Sequence, residues 1–407
     1  MSEVTGGPAG SFGADWNPFA PDQLANPYPF YERARRQAPV FHSPLLNMWV
    51  FTRYDDVFAA LQDTTRFSSF NTAPSEAAGM LGQMLYPGPN AVGVDPPHHT
   101  RLRAPLDPAF TPPRLAALEP EVRRIANELV DGMDTGGDEA DLIAGLASPL
   151  PISIVAALFG AGPEHVADFQ RWSQNLISFM TTLMGPEEQV AAAAGIAEYY
   201  QFLRDLIAEK RAHPGIDITS DLVHYEGDPP LSDGELVSTL TGLTFAGHPT
   251  VACLIGNAAM VFLDPRSRWE ALGADPTLIP DALEEVFRLT APVPSVIRRA
   301  AEDVVVAGVT IPAESRVLLV SHSANLDDAH FASPDEYQPG REHGAEHLTF
   351  VAGLHQCAGR VLARIEARIA YEVLLDRLPG LRLVEGQAVE YRQTLVIRGT
   401  NALQVAW

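Results

Sequence analysis

One cysteine of this chain, Cys357, has the surroundings of a sulfur that acts as an anionic ligand. It lies in a short loop between Gly353 and Gly359, and a long helical pattern rich in arginine and alanine begins directly after it. Glycine tolerates the positive φ of a tight bend and lets another group approach the backbone closely. A cysteine ahead of a helix also meets the positive end of the helix dipole, which favours the thiolate over the thiol. The loop therefore predicts a thiolate ligand.

Two interpretations of this loop are open, a buried structural cysteine and a metal-binding thiolate. The pattern F-x-x-G-x-H-x-C-x-G favours the second, and its members are Phe350, Gly353, His355, Cys357 and Gly359. This pattern resembles the loop by which cytochrome P-450 enzymes hold haem b on a cysteine thiolate, which makes Cys357 the iron ligand. Val351 departs from the family, which usually has glycine there. We expect ligation to survive this change, with a slightly different loop geometry.

The resemblance covers residues 26–407, with the motifs in the order expected for the family. It implies the cytochrome P-450 fold, which is mainly α with a minor β-region. We expect a disordered N-terminus over residues 1–15, because it is rich in Gly, Ser and Ala without a period, and a single catalytic domain over residues 16–407. The resemblance also implies the structural E-x-x-R network of the family, formed here by Glu285, Arg288 and Arg341.

The segment 236–263 is apolar for long enough to mimic a transmembrane span. Ser232 and Glu235 form a capping-box pattern at its start, which predicts one long helix that begins there. Pro249 lacks an N–H, so it leaves the carbonyl of Phe245 without its helical partner and is expected to kink the helix. Because the segment lies among motifs of a soluble fold, we predict a buried central helix rather than a membrane span.

The catalytic candidates Thr250, His248 and Pro249 lie on this helix. Residues 246–250 read Ala-Gly-His-Pro-Thr and resemble the oxygen-binding motif A-G-x-acid-T, in which Ala246 borders the haem. Pro249 stands where the family has the acid that relays protons from solvent, and proline cannot titrate. Thr250 remains and can order a water, while His248 titrates near neutrality and its direction is open.

Several reactions stay open on this basis. Water or substrate groups can replace the missing acid, so that ordinary monooxygenation proceeds. The substrate can instead supply a proton or hydrogen, which suits oxidative coupling of aromatic rings, with C–C or C–N bond formation and no oxygen insertion. A peroxide-using variant of the same fold is a further alternative. So is a haem-based gas sensor or carrier, although nothing that resembles an output domain accompanies the haem region.

A second group of residues suits a bound anion. His99 and Arg103 are four residues apart on a helix predicted after Pro97, so they share one face. The alternative is a solvated basic helix face. The resemblance implies that the haem propionates are held by four residues: His99, Arg103, Arg298 and His347. It also assigns to the haem site a further set: Ala246, Phe350, His355 and Gly359.

The resemblance places the substrate between two lid segments and a set of pocket positions. The first lid segment is the loop 68–94, and the second is a helical stripe that can equally be core. The implied contacts are Met80, Met84, Leu85, Tyr86, Phe179, Met180, Leu243, Val293, Val296, Leu395 and Val396. The only charged residue of the loop is Glu76, so we expect a small apolar or aromatic substrate without net negative charge.

Composition narrows the class of partner. The chain has 407 residues, and 28 Lys+Arg stand against 51 Asp+Glu, a net charge of −23 that argues against a nucleic-acid partner. Two cysteines suit a reducing cytosol rather than a disulfide framework. The N-terminus has neither a basic region nor an apolar region of a signal peptide or membrane anchor, which predicts a cytoplasmic location.

No reductase region accompanies the haem motifs, so the resemblance implies that the enzyme uses O2 and electrons from a ferredoxin or flavodoxin with its reductase. Five arginines are expected around the cysteine-bearing side, where a basic patch would steer an acidic donor. These are Arg101, Arg103, Arg360, Arg364 and Arg368.

Overall fold

Helices dominate the architecture, and two small sheets and a hairpin complete it. The computed structural model describes residues 12–70, 87–133, 137–181, 185–392 and 394–407. Its helices in the described ranges are α1 Pro21–Ala25, α2 Tyr28–Gln37, α3 Tyr54–Gln62, α4 His98–Arg103, α5 Pro112–Ala116, α6 Glu119–Met133, α7 Pro149–Leu158, α8 Val166–Thr181, α9 Pro186–Ala212, α10 Ile218–Val223, α11 Asp233–Gly247, α12 Pro249–Leu263, α13 Arg266–Ala274, α14 Ile279–Thr290, α15 Ser321–Ala324 and α16 Arg360–Arg377. The predicted mainly α fold with a minor β-region is confirmed.

The strands bring distant parts of the chain together. They are β1 Val40–Ser43, β2 Met48–Phe51, β3 Phe67–Ser68, β4 Glu139–Asp141, β5 Val296–Ala300, β6 Val304–Val306, β7 Val309–Ile311, β8 Arg316–Leu319, β9 Arg382–Leu383 and β10 Gln404–Ala406. The larger sheet has the order β1-β2-β8-β5-β3, in which only β2 and β8 run parallel. The smaller sheet is β4-β10-β9, and β6 pairs with β7. Strand β5, which carries Arg298, is thereby fixed between two neighbours.

The central apolar helix is split into α11 and α12. The predicted capping box starts α11, because the Ser232 hydroxyl accepts from the Glu235 N–H and the Glu235 carboxylate accepts from the Ser232 N–H. Helix α11 ends at Gly247 and α12 begins at Pro249, so the break falls where proline removes a backbone donor. Residues 233–263 together are long and apolar enough to cross a membrane, and 72% of the most apolar stretch is buried inside the protein.

The N-terminal boundary differs from the prediction at residues 12–15. The Phe12 ring lies 5.3 Å from that of Phe30 and 5.5 Å from that of Phe41, and residues 13–15 form a 3-10 helix. A Cβ on Gly13 would lie 1.9 Å from the carbonyl oxygen of His42, so only glycine fits there. These aromatic contacts anchor a segment whose composition alone predicted disorder. Residues 1–11 lie outside the described residues.

Candidate functional site

The cysteine loop consists of two short 3-10 turns, residues 348–350 and 353–355, that lead into α16. Gly353 has a φ of 71°, and a Cβ on it would lie 2.8 Å from the carbonyl oxygen of Leu61. The Cys357 N–H donates to the carbonyl of Phe350 at 3.0 Å, which closes the loop. The bend and the close approach to α3 explain why this position is glycine.

Val351 lies in this loop in a conformation that suits glycine. Its φ is 59° and its ψ is 177°. A β-branched residue is seldom found at such a φ, and it stores backbone strain there. Val351 therefore places a strained β-branched residue in a backbone conformation that suits glycine.

The electrostatics of Cys357 differ from the expectation that the helix end would favour its thiolate. Burial raises the pKa of the Cys357 thiol, and this effect outweighs the Gly359 N–H and the nearby Arg103, Arg360 and Arg364, which act in the opposite direction. Because the helix begins only at Arg360, the amides of its first turn follow the sulfur along the chain. A bound cation would supply the missing stabilisation, since a thiol that coordinates a metal loses its proton.

The helix break carries the second part of the site. Ala246 is exposed although it lies within the central helix, and Thr250, one turn further on, is partly exposed. The Thr250 hydroxyl donates to the carbonyl of Ala246, while Pro249 itself is buried. The face at Ala246 and Thr250 is therefore not covered by other side chains, and the lone pairs of the Thr250 hydroxyl remain available to accept a hydrogen bond.

The structure contradicts a proton-transfer role for His248. Its Nδ1 lies 2.7 Å from the Ser173 hydroxyl and its Nε2 lies 3.0 Å from the Ser148 hydroxyl, so both ring nitrogens are engaged away from solvent. Burial, with a smaller contribution from Arg392, lowers the pKa of His248 to about 4. The imidazole is therefore neutral at pH 7 and ties the helix break to α7 and α8, instead of titrating near neutrality as expected.

Buried donors without a partner mark the third part of the site. Both ring nitrogens of His99 and the Nε of Arg298 are buried and have no hydrogen-bond partner among the described residues. The His355 ring lies 4.4 Å from the His99 ring, and Arg103 donates to the carbonyl of Gln356 at 3.1 Å. Buried polar groups are normally paired, so this cluster fits an anionic group that the protein itself does not provide.

Burial and the neighbouring positive charges lower the pKa values of two members of this cluster. Burial lowers the pKa of Arg298 to about 10, and burial together with the charges of Arg298 and His99 lowers the pKa of His355 to about 4. The acid near the cluster, Asp95, accepts from the Ser69 N–H at 2.9 Å. Asp95 and Ser69 were not predicted to lie at this site, although Asp95 stands only four residues before His99 in the sequence.

His347 does not belong to this cluster, in contrast to the prediction. Its Nε2 lies 3.2 Å from a carboxylate oxygen of Glu284, and its Nδ1 accepts from the Thr349 N–H at 3.3 Å. Burial alone would raise the pKa of Glu284, but hydrogen bonds from Arg364 and His347 lower it to about 2. His347 therefore pairs with the carboxylate of α14 that Arg364 of α16 also binds, and it has no nitrogen left for a propionate.

The E-x-x-R residues form a buried ion-pair network. Arg288 donates from Nε and Nη2 to the two oxygens of Glu285 at 2.9 and 2.8 Å, and the Nε of Arg341 donates to the same carboxylate at 2.9 Å. Arg288 also donates to the carbonyl of Pro334 at 2.6 Å. The network thus ties α14 to the irregular segment ahead of the cysteine loop.

The predicted substrate contacts divide into two groups. Met80, Met84, Leu85 and Tyr86 lie outside the described residues, as does the side chain of Met180. The half-buried group is Phe179, Leu243, Val293, Val296, Leu395 and Val396. The helical stripe of the second lid segment begins with Trp172 and Leu176, which precede Phe179 on one helical face; both are buried, so this part of the stripe is core.

The expected basic patch is largely neutralised. Carboxylates pair with four of its five arginines, in the pairs Arg101–Glu235, Arg103–Asp107, Arg364–Glu284 and Arg368–Glu119. Arg360 has no carboxylate partner in the part of the chain that the structure describes, and it donates to the carbonyl of Cys357 at 3.3 Å. The sequence predicted the five arginines of the patch but not the carboxylates that pair with four of them.

A cysteine in a glycine-closed loop, an uncovered face at the break of the central helix and a basic cluster with buried, unpartnered nitrogens together fit a haem-thiolate protein. Comparisons with known proteins agree. The cytochrome P450 family model matches residues 274–385. Nocardicin C N-oxygenase of Nocardia uniformis subsp. tsuyamanensis is 36% identical over 397 residues, covering 96% of this chain and 98% of the relative. The 6-deoxyerythronolide B hydroxylase of Saccharopolyspora erythraea is 33% identical over 409 residues, covering 97% of this chain and 96% of the relative.

Among solved structures, cytochrome P450 CREJ in complex with (4-ethylphenyl) dihydrogen phosphate superposes with a TM-score of 0.89 at 33% identity, covering 97% of this chain and 100% of that chain. The chain belongs to the cytochrome P450 family. It is a cytochrome P450 monooxygenase whose cofactor is haem b, and, as in other bacterial members, O2 and an external redox partner are its co-reactants.

Proposed function

We propose that the monooxygenase oxidises a small substrate with an apolar or aromatic body in specialised metabolism, in the cytoplasm. The half-buried apolar positions support this proposal. Leu243 precedes Ala246 by one turn of α11, and Val293 and Val296 lead into the strand that carries Arg298. Near the C-terminus, the chain folds back on itself where Tyr391 bridges to Thr400, and this turn is called the C-terminal hairpin. Ser295 donates to the carbonyl of Leu395, which joins the C-terminal hairpin to the same segment. Relatives named for nocardicin C and 6-deoxyerythronolide B also support specialised metabolism.

The chain's own residues have distinct roles in this proposal. When bound, haem b supplies dioxygen activation, and thiolate ligation favours O–O bond cleavage. Cys357 is the iron ligand, and His99, Arg298, His355 and Arg103 would hold the propionates; within this set, the ring nitrogens of His99 and the Nε of Arg298 are buried without a partner among the described residues. Phe350 and Gly359 shape the backbone around the sulfur, with Phe350 accepting the Cys357 N–H and the Gly359 N–H opposing the rise in its pKa.

Thr250 is the residue of the helix break that can handle a proton. Its hydroxyl hydrogen is held by the carbonyl of Ala246, so its oxygen accepts a hydrogen bond from a water or from the substrate. Neither Pro249 nor His248 can relay a proton near pH 7, because proline has no titratable group and the imidazole is held neutral by burial between two serines. Protons therefore arrive through ordered water or from the substrate.

The lack of a proton-relaying acid at position 249 favours a second candidate reaction, oxidative coupling of aromatic rings without oxygen insertion. A phenol or indole N–H of the substrate would then provide the hydrogen that the missing acid normally relays. The two reactions differ in the fate of oxygen, since monooxygenation leaves one atom of O2 in the product and coupling leaves none.

Electrons come, in our proposal, from a ferredoxin or flavodoxin with its reductase. Arg360 supports this donor class, because its charge is not paired with a carboxylate in the described ranges and it lies beside Cys357. Because the other arginines of the expected patch are paired, we expect the rate of electron transfer to depend only weakly on salt.

Isotopic labelling distinguishes the two reactions. A ligand screen that follows the haem spin-state shift identifies substrates, which are then turned over with labelled O2 and a ferredoxin system. One labelled oxygen in the main product is the expected result, and an unlabelled C–C or C–N coupled product would establish coupling instead.

Variants at position 249 test the role of the missing acid. Pro249→Glu restores an acid and should raise the amount of product formed per pair of electrons consumed in monooxygenation. Pro249→Ala is the matched control, since it restores the N–H without an acid.

A further inference from the structure

Arg392 is a cation near the helix break whose side chain has no partner among the described residues. It lies on the C-terminal hairpin, where its backbone N–H donates to the carbonyl of Gly399 at 3.0 Å and Tyr391 bridges to Thr400. The Nε of its side chain is buried without a hydrogen bond, and its guanidinium forms no ion pair with any described residue. An unpaired buried donor with a full charge calls for an acceptor.

The hairpin holds this side chain close to α12. A Cβ on Gly399 would lie 2.4 Å from the sulfur of Cys253, so the two backbones approach as closely as glycine allows. Asn257, one turn after Cys253, donates to the carbonyl of Arg398 at 3.1 Å. The charge of Arg392 adds to the burial that lowers the pKa of His248 and opposes the burial that raises the pKa of Cys253, as expected for a guanidinium near the break between α11 and α12.

A narrow cavity adjoins the same side chain. Arg392 and Arg398 line it together with Ser295, Leu395 and residues of the N-terminal segment, and no aspartate or glutamate of the described ranges lines it. Arg398 is occupied, since it donates to the carbonyls of Leu24 and Ala25. In a chain of net charge −23, a cavity with two arginines and no acid is unusual, and Arg392 is the one of the two with free donors.

We propose that Arg392 binds a carboxylate carried by the substrate. The substrate would then have an apolar body, oxidised near Thr250, and one anionic group that reaches the hairpin. A single unpaired guanidinium matches a singly charged group, and its planar fork suits two hydrogen bonds to a carboxylate. The inference rests on the proposed function and revises the expectation of a substrate without negative charge, which considered only the loop 68–94 and not the hairpin.

Imidazole-tethered probes test this inference without the natural substrate. A series of ω-(imidazol-1-yl)alkanoic acids of increasing chain length is titrated against the haem-loaded enzyme, beside the matching primary amides. The imidazole shifts the Soret band when it coordinates the iron, so affinity is measured in every case. For the chain length that spans the distance, the acid should bind about ten- to a hundred-fold more tightly than its amide, because a charge-assisted hydrogen bond replaces a neutral one.

Variants assign the preference to Arg392. Arg392→Gln should bring the ratio of acid to amide affinity to about one, and Arg392→Lys should retain part of it. Arg382→Gln removes one charge from an exposed arginine and should leave the ratio unchanged. No acid preferred over its amide in the wild type, or a preference that survives Arg392→Gln, would overturn the inference. Failure of the proposed function appears separately, as the absence of any Soret shift with the imidazoles.

Discussion

Replacement of Val351 tests how the candidate cysteine loop is built. Its φ of 59° and ψ of 177° lie in a region that glycine alone adopts easily. Its side chain, half-buried, packs against the cluster that contains Leu348 and Ala352. Val351→Gly therefore removes strain and packing together, whereas Val351→Ala removes packing and keeps a Cβ in the strained conformation.

These opposing effects set the expected magnitudes. The strained backbone costs about 1–3 kcal/mol. The half-buried side chain of Val351 contributes about 1 kcal/mol, and the extra freedom of glycine in the unfolded chain costs about 0.5–1 kcal/mol. Val351→Gly should thus be close to neutral, and it should be more stable than Val351→Ala by about 1 kcal/mol. At an unstrained position alanine is the more stable of the two.

Val309 in β7 is the matched control, because it packs half-buried against the same cluster and its φ is not positive. For 407 residues, about 1 kcal/mol corresponds to a shift in Tm of about 1 °C. Thermal unfolding of the haem-loaded variants at one scan rate should place V351G above V351A and V309G below V309A. If alanine is the more stable residue at both positions, Val351 is not strained and the reasoning is refuted.

Three further predictions concern the buried groups of the site. Cys357→Ala should abolish the red-shifted Soret band of the reduced carbonyl complex, and Cys253→Ala should keep it. Glu285→Gln leaves two buried arginines without a carboxylate and should cost about 3–5 kcal/mol in unfolding free energy, whereas Glu119→Gln, at a partly exposed pair, should cost less than about 1 kcal/mol. His248 has a folded-state pKa of about 4, below its ordinary 6.5, so the unfolded chain binds the proton first and stability falls as the pH drops from 6.5 towards 4. His248→Gln should reduce that fall in Tm, and an unchanged acid limb would contradict the burial argument.

Local patterns were sufficient to predict much of the fold and part of the site. The capping box at Ser232 and the missing N–H at Pro249 act within one or two turns, so the start and the break of the central helix follow from neighbouring residues. The bend at Gly353 is similarly local. The i,i+3 spacing of Glu285 and Arg288 already places both on one face of a helix.

Residue partners from distant elements could not be predicted in this way. His347 was expected to face a propionate, but its direction is set by Glu284, which precedes it by 63 residues. His248 is held by Ser148 and Ser173, and neither serine stands in a motif. The ion pairs that neutralise the arginines have the same origin. Spacing reports which side chains share a face, whereas the tertiary packing decides which of them are already paired.

Pro249 and Val351 depart from the family pattern in different parts of the site, and physical reasons explain why the fold tolerates both. Pro249 removes one backbone donor and breaks the central helix, but it stands at the first position of α12, where its missing N–H needs no helical partner. Val351 takes a conformation normally left to glycine, while the Cys357 N–H still reaches the carbonyl of Phe350 and closes the loop. Their consequences differ, because the change at Val351 affects stability, whereas the change at Pro249 removes a titratable group beside Thr250. An altered reaction is therefore to be sought at Pro249, and its cause is the chemistry of the lost acid rather than a change of fold.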